Sequence, residues 1–164
     1  FGALAEKFAG FDALLCLGNS LPHLLTPQDL QRALVDFADC LRPGGLLLVQ
    51  NRNFDAVMAQ RERWMAPETR REGKQEWLFL RFYDFDPDGL LTFNVVALSR
   101  TEDSDWRQKV AYTRLSPQRQ DELAHVLQVA GFDQITFYGD MTSTPYHPMS
   151  SGNLVVTARL LGRR

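Results

Sequence analysis

Two short stretches carry side chains able to do chemistry. Gly18-Asn19-Ser20 follows an apolar run, with His23 just past Pro22. Gln50-Asn51-Arg52-Asn53-Phe54-Asp55 follows a second apolar run. Gly18 has no Cβ, so the backbone there can bend and approach a ligand closely. The Asn19 carboxamide both donates and accepts, and Ser20 adds a hydroxyl. Arg52 offers a planar guanidinium suited to gripping a carboxylate through two parallel hydrogen bonds. Each residue also has a plainly structural role open to it. Asn19 can cap a turn, His23 can bond backbone, and Arg52 can sit in a surface salt bridge.

Other chemistries find no support in the sequence. It holds no Gly-x-Ser-x-Gly elbow, Walker loop or Gly-x-Gly-x-x-Gly. His23, His125 and His147 share no metal-ligand spacing with one another or with Cys16 and Cys40. The two cysteines read as small buried hydrophobes in a reducing cytoplasm rather than as a disulfide. A formal charge of −2 and a pI near 5.9 disfavour a general nucleic-acid binder. No apolar run is long enough to span a membrane, and the start shows no signal-peptide pattern. Hydrophobic residues at 45% and charged residues at 23% fit one ordinary globular domain of 164 residues.

Both stretches need strands to place them. Ala13 to Leu17 reads as a strand buried on both faces, ending in the Gly18 turn. Thr26 as N-cap, Pro27 at N1 and Asp29 at N3 start a helix with a capping-box pattern. Leu30, Ala33, Leu34, Phe37, Ala38 and Leu41 share one helical face, and Arg42-Pro43-Gly44-Gly45 is expected to stop it. Leu46 to Val49 is the next continuous apolar strand. Strand, helix and strand make a right-handed βαβ unit, so both polar stretches fall on the carboxyl rim of a parallel sheet.

The remainder alternates in character. Phe1 to Gly10 reads as a loop or helix tail anchored by Leu4, Phe8 and Phe11. Residues 55–65 read as a short helix, and 65–76 as a mobile loop. Residues 77–85, 90–100 and 106–114 read as three strands of an antiparallel meander, with Asp86-Pro87-Asp88-Gly89 as a turn. Ser116-Pro117 is expected to cap a helix whose stripe is Leu123, Val126, Leu127 and Ala130, stopped by Gly131. Strands at 132–138 and 153–161 are expected to pair, and Gly162-Arg163-Arg164 to form a solvated tail.

Taken in order, Leu-Gly-Asn-Ser-Leu-Pro-His at 17–23, Leu-Arg-Pro-Gly-Gly at 41–45 and Asn-Arg-Asn-Phe-Asp at 51–55 resemble class I S-adenosylmethionine-dependent methyltransferases, in the glycine N-methyltransferase-like branch. The later Ala-Gly-Phe at 130–132 and Gly-Asp at 139–140 fit as well. The resemblance implies an α/β, Rossmann-like sheet of seven strands with one antiparallel strand at its end, carrying an inserted antiparallel β meander over about 77–115. It implies S-adenosylmethionine as cofactor and a small polar methyl acceptor. Leu17, Gly18, Asn19, Ser20 and His23 would line the cofactor pocket. Asn19 and Arg52 would hold a substrate carboxylate, with Arg81 or Tyr83 facing the substrate from the insert. Phe54 stands where the branch has Tyr, which puts a hydroxyl contact there in doubt.

The front of the chain departs from that family. The Gly-rich loop after a first strand, and the acidic residue that holds the ribose, are not in it. It therefore resembles the C-terminal part of a single methyltransferase domain. The leading expectation is methyl transfer to a small amine or carboxylate acceptor. The competing one is a non-catalytic module whose truncated sheet exposes an edge and invites a partner chain or self-association into a homo-oligomer.

Overall fold

A computed structural model of the protein describes residues 3–102 and 104–162. Strand β1 is Phe11–Cys16 and a single 3-10 turn is Leu21–His23. Helix α1 is Pro27–Cys40, strand β2 is Leu41–Arg52 and helix α2 is Phe54–Gln60. Four strands follow: β3 Glu68–Glu72, β4 Gln75–Phe85, β5 Leu91–Thr101 and β6 Arg107–Leu115. Helix α3 Gln120–Val129, strand β7 Phe132–Tyr138 and strand β8 Asn153–Leu160 complete the chain.

The βαβ unit forms as its pattern predicts. Thr26 Oγ1 accepts from the Asp29 N–H at 3.1 Å and donates to Asp29 Oδ2 at 2.6 Å. The Asp29 carboxylate therefore meets the cap hydroxyl rather than the cap N–H, so half of the capping box forms. The expected glycine stop is not what ends α1. The helix stops at Cys40, with Leu41 already extended at φ −91 and ψ 149. Pro43 pushes the residue before it out of the helical region, so the chain turns straight into β2. Cys16 then lies opposite Val49 in a parallel register.

The first sheet runs β1-β2-β8-β7. Strand β8 is antiparallel to both neighbours. Of the seven strands that the resemblance implies for a whole domain, the described residues form four, and the antiparallel strand lies inside the sheet rather than at its end. The pairing of β7 with β8 is as expected. Helices α1 and α3 both pack on the Cys16–Val49 side, over Leu47, Leu154, Val156 and Phe132. That packing overturns the reading of β1 as buried on both faces: Leu15, on the other side, is 58% exposed. Among the described residues β1 is the edge of this sheet. Leu4 does anchor the front segment, where its N–H and that of Ala5 donate to the Asp36 carboxylate. Phe8 and Phe11 do not, for both are exposed.

The insert is larger than its hydrophobic pattern suggests. The second sheet runs β3-β4-β5-β6, antiparallel throughout. Residues 65–76, expected to be a mobile loop, contain β3 and a turn at Gly73, whose φ is +58. Glu68-Thr69-Arg70-Arg71-Glu72 is exposed throughout, so no apolar period betrays it. Charged side chains are a common way to blunt such an edge. Phe54, Val57, Tyr83, Leu91 and Leu115 form a second core, which fastens this sheet to the end of β2.

Helix α3 starts at Gln120, not at Ser116-Pro117. Gln118 is drawn inward, and that holds the intervening residues out of the helix. Leu123 and Leu127 are buried, and Gly131 stops the helix with φ +92. Cys16 and Cys40 are free and buried, and His125 is exposed. No helix among the described residues is long and apolar enough to cross a membrane. Of the expected tail, Arg163 and Arg164 lie outside the described residues.

Candidate functional site

Three consecutive residues at the end of β2 take hold of the loop that follows β1. Side chains of a strand alternate between its faces, so Gln50 and Asn51 reach the loop from opposite sides. Gln50 Oε1 accepts from the Gly18 N–H at 2.8 Å, while its Nε2 donates to Asn153 Oδ1 at 3.1 Å. Arg52 donates its backbone N–H to Asn19 Oδ1 at 2.9 Å. The Asn19 N–H donates to the Gln50 carbonyl at 3.1 Å. Asn19 sits in the left-handed region at φ +61, where asparagine is tolerated. With its oxygen committed to β2, its carboxamide NH2 is the end left to face a ligand.

On the other side, Asn51 is fully buried and donates through Nδ2 to Gln118 Oε1 at 3.1 Å. Gln118, also buried, donates through Nε2 to the Leu21 carbonyl at 2.9 Å. A carbonyl can only accept, so it fixes the direction of this relay. The Gln118 NH2 must face Leu21, and the Asn51 NH2 must face Gln118. Asn51 Oδ1 is then left buried with no partner among the described residues. The Ser116 N–H donates to the Pro22 carbonyl at 2.7 Å, and His23 Nδ1 lies 3.5 Å from Thr113 Oγ1. The loop is thus tied to the connector between β6 and α3 as firmly as to its own sheet. Burial pushes the nearby Cys16 thiol above its ordinary pKa, against the opposing effect of a bond from the Leu21 N–H.

Replacing Gln118 by Leu keeps the volume and removes the relay. It leaves the Leu21 carbonyl and the Asn51 NH2 unpaired, at about 1–3 kcal/mol each. The expected result is a lower melting temperature and weaker binding of any ligand held by loop 18–23. An unchanged melting temperature would show that the relay does not hold the loop.

Among the described arginines that lie beside a carboxylate, Arg52 has the loosest pair. Its guanidinium makes no hydrogen bond among the described residues, and its nearest carboxylate is Glu62, 3.8 Å away. Every other arginine–carboxylate pair among them lies at 3.3 Å or less. The fork is therefore open, at the mouth of a hollow of about 210 Å³ that Asn53, Gln60, Glu62 and residues 149–152 also line. A larger hollow of about 490 Å³, between Leu41, Gly131 and Leu160, lies at the opposite end of β2. Ligands of such sheets sit beyond the carboxyl ends of the strands, so the smaller hollow is the candidate.

The expected site residues fare unequally. Leu17, Gly18, Asn19, Ser20 and His23 do lie in one loop, but the Ser20 hydroxyl is spent on the Leu17 carbonyl at 2.7 Å. Tyr83 is buried against Phe54 and Phe93. Burial raises its phenol pKa, with the Arg52 charge opposing that rise. Arg81, two residues back on the same face of β4, is ion-paired with Glu68, and its Nε is buried without a partner among the described residues. Phe54 is fully buried in the second core, so position 54 packs the core here rather than presenting a group to the site.

The sequence reading placed Gln50 and Asn51 on the rim without giving either a role, and missed Gln118 and Glu62. The roles of Gln50 and Asn51 were findable, because successive residues at a strand's carboxyl end must reach both sides of the adjoining loop.

The wall of the hollow has its own fastening. Asn53 Nδ2 donates to the carbonyls of Pro148 and Ser151, at 2.9 and 2.8 Å. The Tyr146 hydroxyl lies 2.6 Å from Asn53 Oδ1 and 2.7 Å from Asp55 Oδ2, and its single proton serves one at a time. At the start of the same loop, Asp140 Oδ1 accepts from the Thr142 N–H, the Thr142 hydroxyl and the Thr144 N–H. Bonds from Thr144 and Thr142 bring its pKa down to about 2, from an ordinary 3.8. The depressed value means that these bonds stabilise the loop fully above pH 3.8 and are lost as pH falls through about 2. Carboxyl-carbon NMR is expected to give a midpoint near 2 for Asp140. A midpoint at the ordinary value would mean that the turn is not formed in solution.

No family model matches the chain. It is 30% identical over 141 residues to a glycine/sarcosine N-methyltransferase of Aphanothece halophytica, covering 84% of this chain and 47% of that protein. It is 44% identical over 54 residues to the glycine N-methyltransferase of Rattus norvegicus, covering 30% of this chain and 18% of the relative. The chain spans about half the length of the first of these relatives, or less of the others. Among solved structures, DesVI of Streptomyces venezuelae matches with a TM-score of 0.75 at 18% identity, covering 94% of this chain and 60% of that one. An S-adenosylmethionine-dependent methyltransferase from Clostridium acetobutylicum matches with a TM-score of 0.71 at 12% identity, covering 94% and 60%.

Proposed function

We propose that this chain, which belongs to the class I S-adenosylmethionine-dependent methyltransferases and to their glycine N-methyltransferase-like branch, serves methyl transfer to the amine of a small carboxylate-bearing acceptor. The observation that carries this reading is the open guanidinium fork of Arg52, tied through its own backbone to Asn19. An arginine with unspent donors at the end of a strand can grip a carboxylate through two parallel hydrogen bonds.

Loop 17–23 fits one wall of a cofactor site. Gly18 has φ +72, and a Cβ built on it meets nothing within 4 Å, so there is room beside the loop for a ligand. Leu17 would offer apolar contact, Gly18 its close approach, and Asn19 its NH2. Ser20 and His23 would shape the loop through Leu17 and Thr113. S-adenosylmethionine, when bound, supplies a methyl group already activated by its sulfonium charge. The residues of this chain would supply alignment and the exclusion of water. Arg52 would hold the acceptor carboxylate and so set the direction of its amine. The buried Tyr83 phenol would sit alongside as a neutral group. A neutral amine needs no strong base, which agrees with the lack of a catalytic dyad near Arg52.

The reading is tested with radiolabelled S-adenosylmethionine and the native polypeptide. Glycine and sarcosine are expected to take up label. Labelling of ethanolamine in preference to both would sink the carboxylate assignment.

A second reading has one observation in its favour. Among the described residues, Leu15 of β1 and Leu17 just beyond it leave apolar surface at the edge of the first sheet, as a docking module would. In that case the chain assembles with a partner and binds no cofactor. Micromolar binding of S-adenosylhomocysteine in calorimetry would refute it.

A further inference from the structure

The hollow beside Arg52 is lined by a negative charge as well as a positive one. Helix α2 ends at Gln60, and Arg61 turns the chain through the left-handed region at φ +54. The Glu62 N–H then bonds back to the Val57 carbonyl at 3.2 Å. That turn folds Glu62 over the helix end and aims it at β2. Gln60 Nε2 donates to the Met149 carbonyl at 2.8 Å and closes the far lip. The charges are 3.8 Å apart with no hydrogen bond between them. This is close enough for each to feel the other, and too far for Glu62 to fill the fork.

We propose that Glu62 is a specificity-determining residue that reads the charge of the acceptor at Arg52. The inference rests on the assignment of Arg52 to an acceptor carboxylate. Before an acceptor arrives, the hollow carries one positive and one negative charge. A carboxylate bound in the fork adds a second negative charge beside Glu62. A zwitterion brings its own positive group and restores the balance on binding; that ammonium releases a proton to solvent before its nitrogen, then neutral, can attack the methyl group. A simple carboxylate does not restore the balance, and a dicarboxylate adds a further repulsion. With about 210 Å³ available, the favoured class is a small zwitterionic amine rather than a diacid of the same size.

Glu62→Gln keeps the shape and removes the charge. Titration calorimetry is run on the native polypeptide saturated with S-adenosylhomocysteine, using glycine, acetate and malonate as probes. Two unit charges about 4 Å apart at a half-exposed site are worth about tenfold in affinity. Acetate is therefore expected to bind about tenfold more tightly to the Glu62→Gln variant than to the unmodified protein. Malonate should gain more than acetate, and glycine should change by less than about threefold. An equal change for all three probes, or weaker binding of malonate, overturns the proposal. Arg52→Met separates the two assignments. If acetate binds that variant as well as it binds the unmodified protein, the Arg52 reading itself fails. If acetate binding is lost there while Glu62→Gln leaves the ratios unchanged, only the role of Glu62 fails.

Discussion

Replacing Arg52 by Met is expected to raise KM for a carboxylate acceptor by about 30-fold while cofactor affinity stays within about twofold. The figure follows from a charge-assisted contact worth about 2 kcal/mol or more, at about 1.4 kcal/mol per tenfold. Stability should change little, because the side chain is 35% exposed and its guanidinium holds no hydrogen bond among the described residues. The backbone N–H that binds Asn19 survives the substitution. Arg52→Lys keeps the charge and loses the fork, so its KM should fall between the two. The measurement is a pair of saturation curves, one in acceptor and one in cofactor. Equal shifts in both would mean that Arg52 shapes the whole pocket rather than gripping the acceptor.

Replacing Phe54 by Ala is expected to cost about 3–5 kcal/mol, a large share of the stability of any domain. Phe54 is fully buried where α2 begins, and it packs on Tyr83 with ring centroids 6.2 Å apart. Leu91 and Leu115 close the same cluster from β5 and β6. The cavity would open at the join between the two sheets, so loosening should be local first. Amide exchange is expected to rise in β4 to β6 before it rises in β2 or β8. Uniform acceleration through both sheets would show that the second core is not a separate joint. Phe54→Tyr is the sharper control. It introduces the residue typical of the glycine N-methyltransferase-like branch and adds a hydroxyl to a buried cluster, at about 1–3 kcal/mol if that hydroxyl finds no partner.

What could be read from the sequence follows from the kind of signal each element carries. The strands and helices of the first sheet have long apolar periods, and α1 has its cap written in Thr26-Pro27. The order of the Gly18 and Arg52 stretches on one rim follows from a βαβ unit alone. Strand β3 has charges and no apolar face, so only its pairing with β4 reveals it. The start of α3 misleads because Ser116-Pro117 has the local chemistry of a cap. Gln118 overrides that chemistry with two buried bonds to residues far away in sequence. The burial of β1 misleads for a different reason: an apolar run says that a strand prefers cover, not that both sides have it. Glu62 is out of reach of pattern reading, since its aim depends on one left-handed residue.

The position of β8 has a consequence for how the chain reaches this structure. Strands β1 and β2 meet across one helix, and β3 to β6 join through short turns, so both sets can pair early. Strand β2 cannot gain its second neighbour until Asn153 to Arg159 has been made and brought back to Arg52 to Leu46. That is the most non-local pairing in the first sheet, and non-local pairings form slowly. The second sheet should therefore be protected while β2 still has an open side. During that interval Leu47, Val49 and Asn51 wait in a half-built layer. The amide ladder from Gly18 through Gln50 to Asn153 is therefore complete only when β8 docks on β2.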